Sequence, residues 1–244
     1  MAVAIITGGS RGLGNALATG LAAAGWQLII DGRDPDALAT ARESMPGEVL
    51  AIAGDVTDAG HRTALVEAAR GLGGLDLLVN NAGILGPSPQ PVLADYPLAV
   101  LREVYEVNVL APLALTQLAL PDLLARGGAV VNITSDAAIE AYEGWGGYGS
   151  AKAAVEAISR ILAAEQPGLP VWAVDPGDLR TRMHQEAFPG EDISDRPLPE
   201  TVLPAFLRLL AARPESGRIR LADLDAAGGR AYAESAPGSE GGPR

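Results

Sequence analysis

The chain has 244 residues, 48% hydrophobic and 20% charged, which excludes a largely disordered protein and suits one large α/β domain. Its 18 Lys and Arg against 30 Asp and Glu give a net charge of −12, so nucleic acid and anionic membranes are poor partners. Cysteine is absent, which excludes disulfides, thiolate zinc sites and cysteine nucleophiles, and a cytoplasmic location fits.

The predicted elements alternate along the chain. Val3–Thr7 is an apolar strand that runs into glycines, and Asn15–Ala24 a helix closed by Gly25. Leu28–Ile30 is a second strand. Pro35–Ser44 is a helix with Asp34 as its N-cap and Pro35 at its first position. Val49–Ala53 is a strand, Asp58–Arg70 a helix and Leu75–Asn80 a strand. Helices over Asp95–Val107 and Pro112–Ala125 precede a strand at Ala129–Thr134. A helix from Tyr148 to Glu165 and a strand over Val171–Val174 follow. Strands apolar on both faces, separated by helices, predict a doubly wound parallel sheet with helices on both sides. Ligands of such sheets sit beyond the carboxyl ends of the strands.

The N-terminus has no basic region and meets Gly8 too early for a signal peptide. The longest apolar stretch, Val109–Ala125, is interrupted by Pro112, Gln117, Pro121 and Asp122 and reads as too short to span a bilayer. Residues 1–225 are expected to form one catalytic domain. Residues 226–244, rich in glycine and without periodicity, read as a mobile tail.

After the first strand comes Thr7-Gly8-Gly9-Ser10-Arg11-Gly12-Leu13-Gly14. Glycines there let the backbone approach a phosphate, and the following helix offers unpaired N–H groups and partial positive charge. A plain glycine-rich turn is the alternative. The spacing Gly-x-x-x-Gly-x-Gly resembles the coenzyme loop of the short-chain dehydrogenase/reductase family, in its compact single-domain branch. Asn80-Asn81-Ala82-Gly83 after the fourth strand is similar to a second motif of that family, and Asp55-Val56 after the third strand to a third. The resemblance implies a Rossmann-like fold and coenzyme contacts from Gly8, Ser10, Arg11, Gly12, Leu13, Gly14, Asn81, Ala82 and Gly83. It implies adenine contacts from Asp55 and Val56.

Ser135 ends the fifth strand, Tyr148 follows, and Lys152 lies four residues beyond it, on the same face of a helix. The chain holds one lysine and 17 arginines. With five tyrosines in 244 residues, a lone lysine falls four after one of them with a chance of about 2%. Arginine effectively never deprotonates, so a lysine there indicates a need for an ammonium. Bringing a phenol from about 10 to about 7 takes roughly 4 kcal/mol. A cation about 4 Å away supplies about that much at an effective dielectric near 20. On this count Lys152, helped by the positive charge of the nicotinamide in the oxidised cofactor that the resemblance implies, is expected to lower the Tyr148 pKa.

The resemblance then implies roles. Tyr148 is the general acid/base, Ser135 holds the substrate oxygen, and Lys152 lowers the tyrosine pKa and binds the nicotinamide ribose. Asn108 positions a water in the proton relay. Pro176, Gly177 and Thr181, in Asp175-Pro176-Gly177-Asp178-Leu179-Arg180-Thr181, receive the nicotinamide end of the cofactor. No metal is implied. The position of the usual NAD-selecting acid aligns with Gly32, and strand alternation points Asp31 the other way. Arg33 and Arg11 then offer positive charge for a 2′-phosphate, which favours NADP, with NAD as the alternative.

The expected function is an NADP(H)-dependent oxidoreductase moving a hydride between the nicotinamide and a small carbonyl or alcohol substrate. The alternative is a non-catalytic dinucleotide-binding sensor. Arg182–Pro199 reads as a loop over the site, with His184 exposed or capping. Tyr142 or Trp145 is expected to line the substrate pocket, and Glu143 to favour a polar or cationic substrate. The C-terminal end departs from the family: Gly217–Leu221 is a weak strand and Gly228-Gly229 sits in polar sequence, so a homo-oligomer is possible but not implied.

Overall fold

The structure, a computed structural model, describes residues 1–224, so the tail expected over 226–244 lies outside the described residues. Seven strands form one sheet: β1 Val3–Ile6, β2 Gln27–Gly32, β3 Val49–Ala53, β4 Leu77–Asn80, β5 Ala129–Ile133, β6 Val171–Asp175 and β7 Gly217–Arg220. Their order is β3-β2-β1-β4-β5-β6-β7, and every neighbouring pair is parallel. The chain reverses its winding between β1 and β4, so a crevice opens where their carboxyl ends diverge.

The helices are α1 Gly12–Ala23, α2 Pro35–Ser44, α3 Ala59–Gly71, α4 Leu98–Tyr105, α5 Ala111–Arg126, α6 Gly146–Glu165, α7 Arg182–Ala187 and α8 Leu203–Ala212. Strand alternation sorts the core into two layers. Ala4, Ile6, Leu28, Ile30 and Val131 face Leu17 and Leu21 of α1 and Phe206 and Leu209 of α8. Val3, Ile5, Ile29, Leu78 and Val130 face Leu65 and Ala69 of α3 and Leu115, Ala119 and Leu123 of α5. Asp34 caps α2 as expected, accepting the Asp36 and Ala37 amides at 3.2 and 3.1 Å.

Three elements differ from expectation. Helix α1 begins at Gly12, so the last two glycines of the loop supply its first turn. The two helices expected over 95–125 are one run, because a π-helical turn at Glu106–Leu110 joins α4 to α5. Pro112 does not break it. This proline is the second residue of α5, one residue past the π-helical turn, where the hydrogen-bond ladder changes register and a residue without an N–H is tolerated. The run Leu98–Arg126 has 29 residues, longer than the Val109–Ala125 stretch read from the sequence, and is long and apolar enough to cross a membrane by length and composition only. Its inward face lies on the sheet through Leu115, Ala119 and Leu123.

The third difference is the last strand. Gly217–Arg220 is weak in sequence, yet it pairs with Trp172–Asp175 over four residues. The Ser216 hydroxyl accepts the Val171 amide at 3.0 Å, and the Trp172 indole donates to the Pro214 carbonyl at 3.1 Å. These bonds hold β7 at the edge of the sheet where local propensity does not.

Phe206 is fully buried between α8 and the sheet. Phe206→Ala is expected to destabilise the protein by about 3–5 kcal/mol. A shift of the urea unfolding midpoint checks this, and an unchanged midpoint contradicts the packing described.

Candidate active site

The site begins with a clamp between β1 and β4. The Thr7 hydroxyl accepts the Asn81 and Ala82 amides at 3.0 Å each. The Asn81 side-chain amide donates to the Thr7 carbonyl at 2.8 Å and the Gly8 carbonyl at 3.3 Å. Gly8 and Gly12 take left-handed backbone at φ +68° and +57°. A Cβ on Gly14 would stand 2.3 Å from the Gly8 carbonyl oxygen, so only glycine lets α1 start this close to the loop.

A cleft of about 1170 Å³ crosses the strand ends. Gly8, Ser10, Arg11, Gly12 and Leu13 line it beside Arg33, Asp55 and Val56. Asn81, Ala82 and Gly83 form its middle, and Ser135, Tyr148, Lys152, Pro176, Gly177 and Thr181 its other end. Gly14 and Asn108 are buried and are not part of this lining. The bare glycine backbone at a helix N-terminus, the size of the cleft and the two arginines at one end fit a dinucleotide.

Asp31 is 1% exposed and lies beneath the loop. One of its carboxylate oxygens accepts the Gly8 amide at 2.6 Å, and the other meets His61 Nε2 at 3.0 Å. Both oxygens are therefore engaged within the fold. A Cβ on Gly32 would lie 3.0 Å from Ser10 Oγ, so the loop packs directly on this position. Arg11 is half exposed, 3.7 Å from Asp34. Against the cost of burial, the Thr57 amide and hydroxyl hold the Asp55 carboxyl below its usual range.

Ser135, Tyr148 and Lys152 come together at the end of β5 and the start of α6. The Lys152 ammonium is buried, donates to the Ile133 carbonyl at 2.8 Å and lies 5.4 Å from the centre of the Tyr148 ring. The Ser135 hydroxyl donates to Asp136 at 2.9 Å and accepts the Ala137 amide at 3.2 Å. A Cβ on Gly149 would stand 2.5 Å from the Ala137 carbonyl oxygen, so glycine permits this approach of α6 to the turn after Ser135. Asn108 lies in the π-helical turn and pins the loop after β4. It accepts the Ile84 amide and donates to the Ile84 carbonyl, both at 2.8 Å. A Cβ on Gly83 would meet Asn108 Oδ1 at 3.0 Å and Lys152 Nζ at 3.8 Å, which places these groups around one point.

The electrostatics correct one expectation. Burial, and then the Asp136 and Asp175 carboxylates, raises the Tyr148 pKa instead of lowering it. Burial also pushes Lys152 down to about 8. The charge-pair argument counts the ammonium but omits desolvation of both groups. Tyr148 is consequently held as a phenol.

Around Tyr148 the walls are aromatic. Trp145 lies edge-on to it at 5.9 Å and packs at the same distance against Phe188. Trp145 lines the cleft; Tyr142 and Glu143 are exposed and do not, though the Tyr142 hydroxyl donates to Asp136 at 2.9 Å. His184 is not exposed as expected. Its side chain is 10% exposed, stacks on Phe188 at 4.9 Å and lines the cleft. Thr181 accepts the His184 amide at 3.1 Å, capping α7, and its methyl would lie 3.6 Å from a Cβ on Gly12.

Sequence reasoning missed His61 and Arg218, and, for Asp136, its bond to Ser135 and its charge near Tyr148. His61 carries a signal: it shares the buried face of α3 with Leu65 and Ala69, at steps of four. Asp136 and Arg218 have none that spacing could reveal.

Besides Lys152, Asp136 and Asp175 are the charged groups that act on the Tyr148 phenol. Asp136→Asn removes one of the two negative charges, so the Tyr148 pKa is expected to fall. Tyrosinate absorbance at 295 nm measures this, taken for each protein as the difference from its Tyr148→Phe counterpart. An onset at the same pH with and without Asp136 contradicts the role given to this carboxylate.

Comparison with known proteins agrees with the geometry. The family model described as "short chain dehydrogenase" matches residues 2–192. Sepiapterin reductase of Meriones unguiculatus is 38% identical over 203 residues, covering 76% of this chain and 77% of that protein. A short chain dehydrogenase from Shigella flexneri complexed with NADP superposes with a TM-score of 0.81 at 28% identity, covering 90% of this chain and 95% of that one. An alcohol dehydrogenase from the archaeon Thermococcus sibiricus, complexed with 5-hydroxy-NADP, gives a TM-score of 0.79 at 28% identity, with 90% and 95% covered. The doubly wound sheet, the glycine cradle and the matched 2–192 segment make this chain a member of the short-chain dehydrogenase family, an oxidoreductase acting on CH–OH or C=O groups.

Proposed function

We propose that the protein is an NADP(H)-dependent reductase of small carbonyl compounds, with Tyr148 as the general acid. The observation that carries this reading is the buried lysine: Lys152 sits at 5.4 Å from the Tyr148 ring with its ammonium tied to the Ile133 carbonyl, next to Ser135. When bound, the cofactor supplies the hydride that adds to the carbonyl carbon. Tyr148 gives its proton to the carbonyl oxygen as negative charge develops there. Ser135 holds the same oxygen by turning its hydroxyl from Asp136 to the substrate. Lys152 offers an ammonium to the ribose hydroxyls and steadies the phenolate left on Tyr148. Asn108 keeps the loop after β4 in place beside Lys152, and would thereby help to position a water that relays a proton back to Tyr148. In the reverse direction Tyr148 takes the alcohol proton.

Ser10, Gly12 and Leu13 would cradle the pyrophosphate with backbone N–H groups, while Gly8 and Gly14 would let the loop and the start of α1 pack closely enough to present them. Asn81, Ala82 and Gly83 would support the ribose, Asp55 and Val56 the adenine, and Pro176, Gly177 and Thr181 the nicotinamide amide. NADP is favoured over NAD because Asp31 is engaged by Gly8 and His61, while Arg11 and Arg33 line that end of the cleft. Two structural relatives carry NADP or a derivative of it.

Tyr148→Phe is expected to keep NADPH affinity within about twofold and to lose turnover by at least about a hundredfold. Calorimetry and NADPH consumption with a panel of aldehydes and ketones measure the two separately, and full turnover in this variant removes the proton-donor role. Arg33→Ala is expected to weaken NADPH about tenfold or more and leave NADH unchanged. Equal loss for both cofactors, or tighter NADH than NADPH binding by the wild type, overturns the NADP assignment.

A further inference from the structure

Arg218 lies on β7, beyond the 2–192 segment that the family model matches. Its guanidinium reaches inward to three elements at once. One nitrogen donates to the Ser135 carbonyl at 3.3 Å and to the Glu156 carboxylate. The other donates to Asp175 at 2.6 Å. Each carboxylate carries a second bond into the site. Glu156 also accepts the Thr134 hydroxyl at 2.7 Å, and Asp175 accepts the Gly177 amide at 2.9 Å. Glu156 stands one helical turn after Lys152 on the same face of α6.

The side chains of Arg218, Glu156 and Asp175 are 21%, 12% and 5% exposed, so the network is mostly dry. A flat guanidinium fork fits this arrangement because it can serve several acceptors in fixed directions from one rigid group. An ammonium carries its three donors on one atom and cannot span acceptors that here lie around two separate nitrogens.

We infer that Arg218 is a positioning residue for the reductase reaction: it fixes Ser135, the turn of α6 after Lys152, and the Asp175–Gly177 loop in one mutual geometry. This rests on the proposed function, which assigns Ser135 to the substrate oxygen and the Gly177 loop to the nicotinamide. The backbone of Ser135 and the amide of Gly177 are tied through two side chains, Arg218 and Asp175. The substrate-side donor and the nicotinamide-side loop therefore move together or not at all. The adenine end, on β2 and β3, takes no part in the network.

That asymmetry gives the test. Wild type, Arg218→Met and Arg218→Lys are titrated by calorimetry with NADPH and with 2′-phospho-ADP-ribose, which is NADPH without its nicotinamide. Arg218→Met is expected to bind 2′-phospho-ADP-ribose within about twofold of wild type and NADPH about tenfold weaker. Arg218→Lys keeps the charge but not the fork and is expected to show the same split at about threefold. Turnover of the best carbonyl compound from the panel should fall in kcat more than in KM. Equal weakening of both ligands marks a merely structural role and overturns the inference, as does NADPH affinity unchanged in both variants. Circular dichroism checks folding; if Arg218→Met does not fold, the Lys variant decides alone, and wild-type NADPH binding by it overturns the inference. A wild-type protein that binds neither ligand overturns the reductase reading, and the role of Arg218 with it.

Discussion

The bonds between Thr7 and Asn81 hold the ends of β1 and β4, and the cleft exists because of them. A parallel sheet that reverses its winding leaves two neighbouring strand ends whose chains depart in opposite directions. Without cross-bonding those ends would splay, since the strand ladder stops where the two loops begin. One threonine hydroxyl and one asparagine amide satisfy four backbone groups across the gap. The glycine loop then lies to one side and the Ser135, Tyr148 and Lys152 cluster to the other. The distance between the two halves of the site is thus set by hydrogen bonds internal to the fold.

On the second half, desolvation and charge oppose each other. Lys152 is buried, so its proton is held less firmly than on a surface lysine, and its ammonium is engaged partly by the Ile133 carbonyl. Tyr148 is buried too and faces two carboxylates, so it keeps its proton. A Coulomb estimate from the Tyr-x-x-x-Lys spacing predicts the opposite sign for the tyrosine. Pair attraction in a protein is never free of the cost of removing both groups from water.

Much of the fold was legible in the sequence because local and long-range signals agree. The run from Asp34 to Ser44 has a cap, a first-turn proline and an apolar face, and folds as read. Strand β5, Ala129–Ile133, is apolar on both faces and buried at all five residues, which a sheet covered on both sides explains. The π-helical turn was not legible, because a one-residue excess in a helix leaves no composition signal. β7 was not legible as a firm strand either: its pairing depends on β6, and on bonds that Ser216 and Pro214 make to β6 residues more than 40 positions away. In the site, the Tyr148–Lys152 pair drew notice through its spacing and the rarity of lysine, while Ser135 and the roles of all three came from the family resemblance. His61 and Arg218 act through contacts 30 and 83 residues away in sequence, to Asp31 and Ser135, beyond the reach of any window.

The packing of Ser10 on Gly32 bears on redesign. A direct route to a different coenzyme preference is one acidic substitution at the end of the second strand. Here a side chain at 32 begins 3.0 Å from Ser10 Oγ, inside the loop that must keep its shape. Asp31 cannot be recruited in its place while Gly8 and His61 hold both of its oxygens. Ser10, Asp31, Gly32 and His61 therefore form a small interlocked unit beside Arg11 and Arg33, and a side chain introduced at 32 would have to be matched by changes in several of its members.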